Sequence, residues 1–331
     1  MKRIFSFLLL ALFLTNAHAQ NPNLGTSGAK FLNIAVDARS AGMGGAVVGL
    51  NDDVNSVFWN PAGIAHLEKS AASFSYMRWF DMFDLNAAAA SFNIKGWGTF
   101  AASVTVFSMD RMEITTEAKP NGTGRYFDAQ DIAIGLTYAR SLTDNFCVGV
   151  TAKLINQKIW NENASGVAFD VGTQYRLDFQ NLTIAMKMSN FGADLKFDGE
   201  DLNVIYDKSS DFPLNRLTPA RLVTDLYPLP LNFQVGIGFD IYTGEFMKVK
   251  GAIDAVHPND NKERINTGVE FSFFDRLFLR GGYRFKYDQE SFSLGAGANI
   301  PIAGTFFNFD YAFAAYDVLP SVHRITVGVE F

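Results

Sequence analysis

From residue 70 onward the chain repeats one pattern: apolar and polar residues alternate over a short run, the run breaks at a turn, and the alternation begins again. A period of two is the mark of a β-strand whose two faces meet different surroundings. Phe233, Val235, Ile237, Phe239 and Ile241 alternate with Gln234, Gly236, Gly238 and Asp240. Ile132, Ile134, Leu136 and Tyr138 oppose Asp131, Ala133, Gly135 and Thr137, and Val167, Phe169, Val171 and Tyr175 oppose Asp170, Gln174 and Arg176. Fourteen such runs begin near residues 70, 84, 98, 128, 146, 166, 182, 230, 246, 263, 276, 291, 305 and 321.

An even number of strands with unlike faces suits an antiparallel barrel closed on itself, and the connections support it. Turns at 96–98, 143–145, 178–181, 243–245, 275–276 and 303–304 are short, whereas 117–126, 161–165, 193–229 and 257–262 read as longer loops. Short turns at one end and long loops at the other are the asymmetry of outer-membrane barrels. The bulky face recurs on run after run, as a lipid-facing belt requires. The opposite faces carry Lys153, Asp170, Arg176, Lys187, Arg264, Glu270, Arg280, Arg284, Lys286, Asp310, Arg324 and Glu330. One cation facing lipid at the midplane costs about 2–4 kcal/mol, so these charges must face a lumen. A soluble β-sandwich would need its bulky face covered by a second sheet. The reading is an all-β chain: a 14-stranded antiparallel transmembrane barrel.

Composition narrows the function classes. Aromatics make 14% of the 331 residues, with 32 Phe, and charged residues only 19%, a profile of strand formers. The net charge of -6 argues against a nucleic-acid partner. Beyond the first twenty residues no apolar stretch is long enough for a helical membrane crossing. One cysteine, Cys147, and four scattered histidines leave no cysteine-based zinc site and no histidine cluster. No nucleophile elbow occurs, so the reading names no catalytic residue, no metal site, no cofactor and no enzyme activity. Asp194, Asp198, Glu200 and Asp201 lack the spacing of a calcium loop and read as a solvated loop.

The beginning of the chain differs. Lys2 and Arg3, an apolar stretch over residues 4–14, and Ala17-His18-Ala19 read as a signal peptide over residues 1–19. Residues 20–69 are expected to form a plug inside the barrel of residues 70–331, with short helices near 28–32 and 53–59, the second capped by Asp52 or Asp53. Within this segment, residues 38–65 are rich in glycine. Gly42, Gly44, Gly45 and Gly49 suit close packing against backbone. A dinucleotide loop is a poor reading of them, because no strand precedes and the third glycine is misplaced. Asn60 before Pro61 is biased out of the helical region and reads as a turn.

The order Phe31-Leu32, Asp37-Ala38-Arg39-Ser40-Ala41-Gly42-Met43-Gly44-Gly45, Asn51-Asp52-Asp53, Asn60-Pro61-Ala62-Gly63 resembles the N-terminal region of the PorV/PorQ family, within the FadL-like superfamily of outer-membrane barrels. The resemblance implies a plug motif at Arg39, Gly42, Gly44, Gly45, Asn60, Pro61, Ala62 and Gly63. It implies export to the outer membrane of a Gram-negative bacterium, contact with its lipid, and one of two functions. The first is type IX secretion, in which the translocon and cargo proteins are the partners. The second is a FadL-type channel for hydrophobic small molecules. The final run, with Ile325, Val327, Val329 and Phe331 on one face, resembles a barrel-assembly signal, which assigns that role to Phe331. Residues 193–229 combine prolines with apolar side chains, and Tyr206, Phe212, Leu214 and Leu217 are the candidate partner-binding anchors.

Overall fold

A computed structural model describes residues 23–50, 52–206 and 218–331. Residues 1–19, read as a signal peptide, lie outside the described residues. Fourteen strands form the wall: β1 (Ala71–Trp79), β2 (Phe83–Ile94), β3 (Gly98–Met109), β4 (Ala129–Ser141), β5 (Phe146–Ile159), β6 (Glu162–Arg176), β7 (Thr183–Gly192), β8 (Asn232–Thr243), β9 (Met247–Pro258), β10 (Arg264–Phe273), β11 (Leu277–Phe285), β12 (Glu290–Ile302), β13 (Thr305–Tyr316) and β14 (Val322–Glu330). Each pairs antiparallel with its neighbours in sequence, and β1 pairs with β14 from Ala71↔Glu330 to Met77↔Arg324. The ring is therefore closed. Closure matters in hydrocarbon, where an unpaired backbone N–H or C=O has no water to turn to.

The burial pattern is inverted relative to a water-soluble sheet. On β8, Asn232, Gln234, Gly236 and Gly238 are buried, whereas Phe233 and Ile237 are exposed. On β14, Arg324 and Thr326 are buried and Ile325 is exposed. Asp170, Lys187, Glu270 and Arg280 are likewise buried, each on the polar face of its strand. Lys286 is exposed instead, at a left-handed backbone position just beyond β11 (φ 64°).

The connections at the end that holds residues 70 and 331 are all short, and Phe331 N–H donates to Ser70 C=O there, 2.9 Å. At the other end lie the connections 110–128 and 193–231. One expected loop is corrected. Residues 161–165 are not a longer loop: β6 begins at Glu162 and pairs with β5 from Ile159↔Glu162, so the connection is a tight turn at Trp160 and Asn161. Trp160 adopts a left-handed backbone (φ 51°) that aromatic residues rarely take, and this hid the turn from a reading based on glycine and proline. The 193–231 connection is not structureless. Asp198–Gly199 pairs with the start of β6, and Asn203–Tyr206 pairs with Thr218–Arg221 as a hairpin.

Residues 23–69 form four short helical turns: Lys30–Asn33, Ala38–Gly42, Ser56–Trp59 and Pro61–His66. They touch opposite parts of the ring. Ala38–Gly42 packs on β11, β12, β13 and β14, whereas Pro61–His66 packs on β3, β4, β5 and β6. The turn at Ser56–Trp59 starts later than expected and carries no side-chain cap; Asp53 Oδ1 instead accepts from Asn55 N–H one step earlier.

Candidate functional site

The surface between residues 23–69 and the strands is where the motif residues converge. Asp37 caps the turn Ala38–Gly42: its Oδ1 accepts from Ser40 N–H at 2.8 Å, and its Oδ2 accepts from the Trp59 indole at 2.6 Å. One carboxylate thus ties two helical turns together. Arg39, from the same turn, donates to Glu270 on β10 and to Asp52 and Asp53, 2.8–3.1 Å. Glu270 also accepts from Arg280 on β11 at 2.7 Å, and Arg280 reaches Asp310 on β13 at 2.5 Å. The result is a chain of alternating charge, Asp53–Arg39–Glu270–Arg280–Asp310, along one side of the ring. Burial pushes the Asp53 carboxyl up to about 6, against the pull of Arg39.

The glycines allow backbone to lie on backbone. Gly42 faces Gly295 of β12, where a Cβ on Gly42 would come 3.0 Å from the Gly295 Cα. Gly44 and Gly45 have positive φ (65° and 76°), which a side chain would strain. Polar groups of the wall then complete the segment's free backbone: Arg284 donates to Gly44 C=O, Arg324 to Ala35 C=O, and Asp254 accepts from both Val47 and Val48 N–H.

Asn60-Pro61-Ala62-Gly63 sits on the opposite wall. Asn60 is extended (φ -136°, ψ 105°), as the following proline dictates, and its Oδ1 accepts from Ala62 N–H. Its amide donates to Val48 C=O at 3.1 Å and to Thr173 C=O on β6 at 3.3 Å. Pro61 opens the 3-10 turn Pro61–His66, and Ala62 and Gly63 are fully buried within it. Gly149 and Gly172 leave the room, since a Cβ at either would overlap Pro61 or Asn60. Glu270, Arg280 and Arg324 are among the inward charges expected from the sequence, whereas Asp37, Trp59 and Asp254 were missed as partners. The wall glycines had a visible signal, lying at period two on the polar face.

The enclosed space is small and charged. A vestibule of about 480 Å³ at the short-turn end is bordered by Arg39, Asp52, Asp53, Lys250, Glu270 and Asp310. A second cavity of about 70 Å³ lies deeper, between residues 31–36, 57–59 and the wall. Among the described residues no His, Cys, Asp and Glu side chains are grouped to hold a metal ion.

On the long-loop side, Tyr206 is exposed on its hairpin; Phe212, Leu214 and Leu217 lie outside the described residues. Beside Tyr206 the described loop exposes Ile205, Leu222, Val223 and Leu226. The base of the loop behaves differently. Leu195 and Leu229 are buried in one cluster with Phe31 and Ile155, and Tyr227 O–H donates to Gln157. Asp198 pairs with Arg221, and Asp201 N–H donates to Glu162, so two of the four loop acids help fold the loop.

Comparison with known proteins places this geometry. The family model described as "Type IX secretion system protein PorV" matches residues 16–201. No curated protein matches significantly. Among solved structures, the toluene transporter TbuX of Ralstonia pickettii superposes with a TM-score of 0.57 at 12% identity, covering 89% of this chain and 97% of that one. The toluene transporter TodX of Pseudomonas putida gives 0.57 at 12% identity, over 89% and 96%. A FadL homologue of Pseudomonas aeruginosa gives 0.55 at 11% identity, over 89% and 98%. At such identities the likeness establishes a shared FadL-like barrel fold.

Proposed function

The chain belongs to the family of the type IX secretion system protein PorV, and from that premise we propose that it is a non-enzymatic outer-membrane component of type IX secretion. In this reading residues 23–69 plug the barrel, and the 193–231 loop presents apolar anchors to the translocon and to cargo proteins. The observation that carries it is the contrast between the two ends of the molecule. At the short-turn end, paired charges run from Arg39 along Glu270, Arg280 and Asp310 of the wall, whereas the long loop exposes Ile205, Tyr206, Leu222, Val223 and Leu226. Exposed aromatic and aliphatic groups on a partly structured loop suit recognition of a protein surface. Phe212, Leu214 and Leu217 belong to the same proposed surface on their sequence position.

The test is a pull-down from detergent-solubilised outer membrane with Tyr206→Asp, Val223→Asp and Leu226→Asp combined. Loss of about tenfold in co-purified partners, with the barrel still folded, is the expected outcome for anchors worth about 1.4 kcal/mol or more together. Partners retained at the wild-type level would remove the loop from the interface.

A channel for hydrophobic small molecules is the second reading, favoured by the fold shared with the two toluene transporters. The interior weighs against it. A cavity that holds benzene measures about 150 Å³, roughly twice the deeper cavity here, and the larger vestibule is lined by charges. Uptake of toluene into liposomes that depends on this barrel would reverse the order of the two readings.

A further inference from the structure

The start of the described chain lies at the long-loop end of the barrel. Gly25 N–H donates at 3.1 Å to Asp260 C=O, in the connection between β9 and β10, and Gly28 N–H donates at 3.0 Å to Pro228 C=O. The Asp260 carboxylate is buried and accepts from Ser27 Oγ and Lys30 Nζ. Gly28 lies so close to the Tyr227 ring that a Cβ there would overlap it. The segment ends at the short turns, where Leu67 C=O accepts from Asn93 Nδ2 at 2.6 Å beside the turn between β2 and β3. Residues 23–69 therefore run the length of the lumen. In outer-membrane barrels the short turns face the periplasm and the long loops the outside, which puts residues 23–26 on the outer side. There they form an exposed turn, closed by Thr26 N–H on Asn23 C=O, with Leu24 57% exposed.

The surface around this turn is acidic. The connections at the long-loop end are 80–82, 110–128, 160–161, 193–231, 259–263, 286–289 and 317–321, and their described residues include fourteen acids and seven bases, a net charge of -7. On the 193–231 loop the carboxylates of Asp194, Glu200 and Asp225 are exposed and meet no donor among the described residues. Leu222, Val223 and Leu226 are exposed on the same loop. We propose that residues 23–26 are displayed on the cell surface and complete, with this loop, one docking face for a protein whose apolar contact is ringed by lysine and arginine. The inference rests on the reading of the loop as a partner surface and adds to it the N-terminal turn and the partner's charge. Tyr227 and Pro228, next to Leu226, are the residues against which Gly28 lies, so the turn is fastened to the loop it serves. Opposite charge steers such a partner to the face, and the apolar groups then supply the contact. Nucleic acid or an anionic lipid surface is repelled by the same charge.

The experiment uses the full chain in its own membrane. An epitope inserted between Pro22 and Asn23 is expected to be labelled by antibody on intact cells, and labelling only after the outer membrane is permeabilised would overturn the display. Docking is read with a photoreactive phenylalanine in place of Leu24 or of Val223. Both positions are expected to give adducts with the same protein, identified by its peptides. Both adducts should fall about threefold or more as salt is raised from about 0.05 M to about 0.5 M. Asp194→Lys, Glu200→Lys and Asp225→Lys combined, in a barrel that still migrates as folded, should give the same loss at low salt. An adduct at Val223 without one at Leu24 overturns the inference and leaves the loop reading standing. Adducts at neither position overturn both, and adducts indifferent to salt and to the three lysines overturn the basic ring.

Discussion

Asn60 shows how one side chain can set the path of a segment. Its oxygen closes the turn onto Ala62, and its amide ties that turn to Val48 and to Thr173 on the wall. This works because Gly172 leaves no side chain in the way. Gly172→Ala is therefore expected to destabilise the barrel by about 1–3 kcal/mol, the usual cost of overpacking, read as a lower melting temperature with the strand content intact. Asp37→Ala removes a helix cap and strands the Trp59 indole. A cost of about 1–3 kcal/mol is expected on the same measurement. The neighbouring acid Asp53 adds a pH dependence. Its carboxyl sits near 6 in the folded chain, above its usual value of 3.8. Its contribution is thus fully present below the ordinary carboxylate range and is lost as pH rises through about 6. Wild type should gain stability relative to Asp53→Asn as pH falls from 7 to about 4.5, and a constant difference between the two would show that Asp53 does not titrate there.

At the scale of elements, the glycines of the strands and those of the N-terminal segment are complementary features of one surface. Gly42 on Gly295 and Gly49 on Gly238 bring main chains together so closely that the wall has no room for side chains there. The loop between β7 and β8 divides into two parts with different physics. Its base, Leu195, Tyr227 and Leu229, is drawn inward onto Phe31. Its hairpin keeps Ile205 and Tyr206 in solvent. Leu195→Asp should lower barrel stability, whereas Tyr206→Asp should leave the melting temperature within about 1–2 °C of wild type, since exposed positions rarely shift stability by more than about 0.5 kcal/mol. The last strand is paired along its length with β1, and removing Phe331 is expected to reduce the fraction of chains assembled, measured as the heat-sensitive fast-migrating band.

For the whole molecule, the arrangement predicts a quiet pore. Residues 23–69 contact strands on opposite sides of the ring, and Arg39 ties them to Glu270 and through it to Arg280 on the wall. A reconstituted barrel should conduct ions weakly, and deletion of residues 23–69 should open it. A large steady conductance in the intact chain would refute the plug.

What the sequence determined by itself was the wall. In a strand, side chains alternate faces without regard to what lies far away in the chain, so period two, its phase and the turns between runs were legible one segment at a time. Thirteen of the fourteen strand starts fall within two residues of the expected positions; the exception is β6, expected near 166 and found at Glu162. Its early start escaped notice because Trp160 turns the chain without glycine or proline. The motif was legible too, as a run of residues, and so was the set of inward charges from which its partners come, but which meets which was not. Arg39 meets Glu270 across more than two hundred residues, and Asp254 caps a turn it could not be matched to. Those outcomes depend on which inward faces the closed barrel brings opposite one another, a matter of strand register and ring closure that no local pattern encodes.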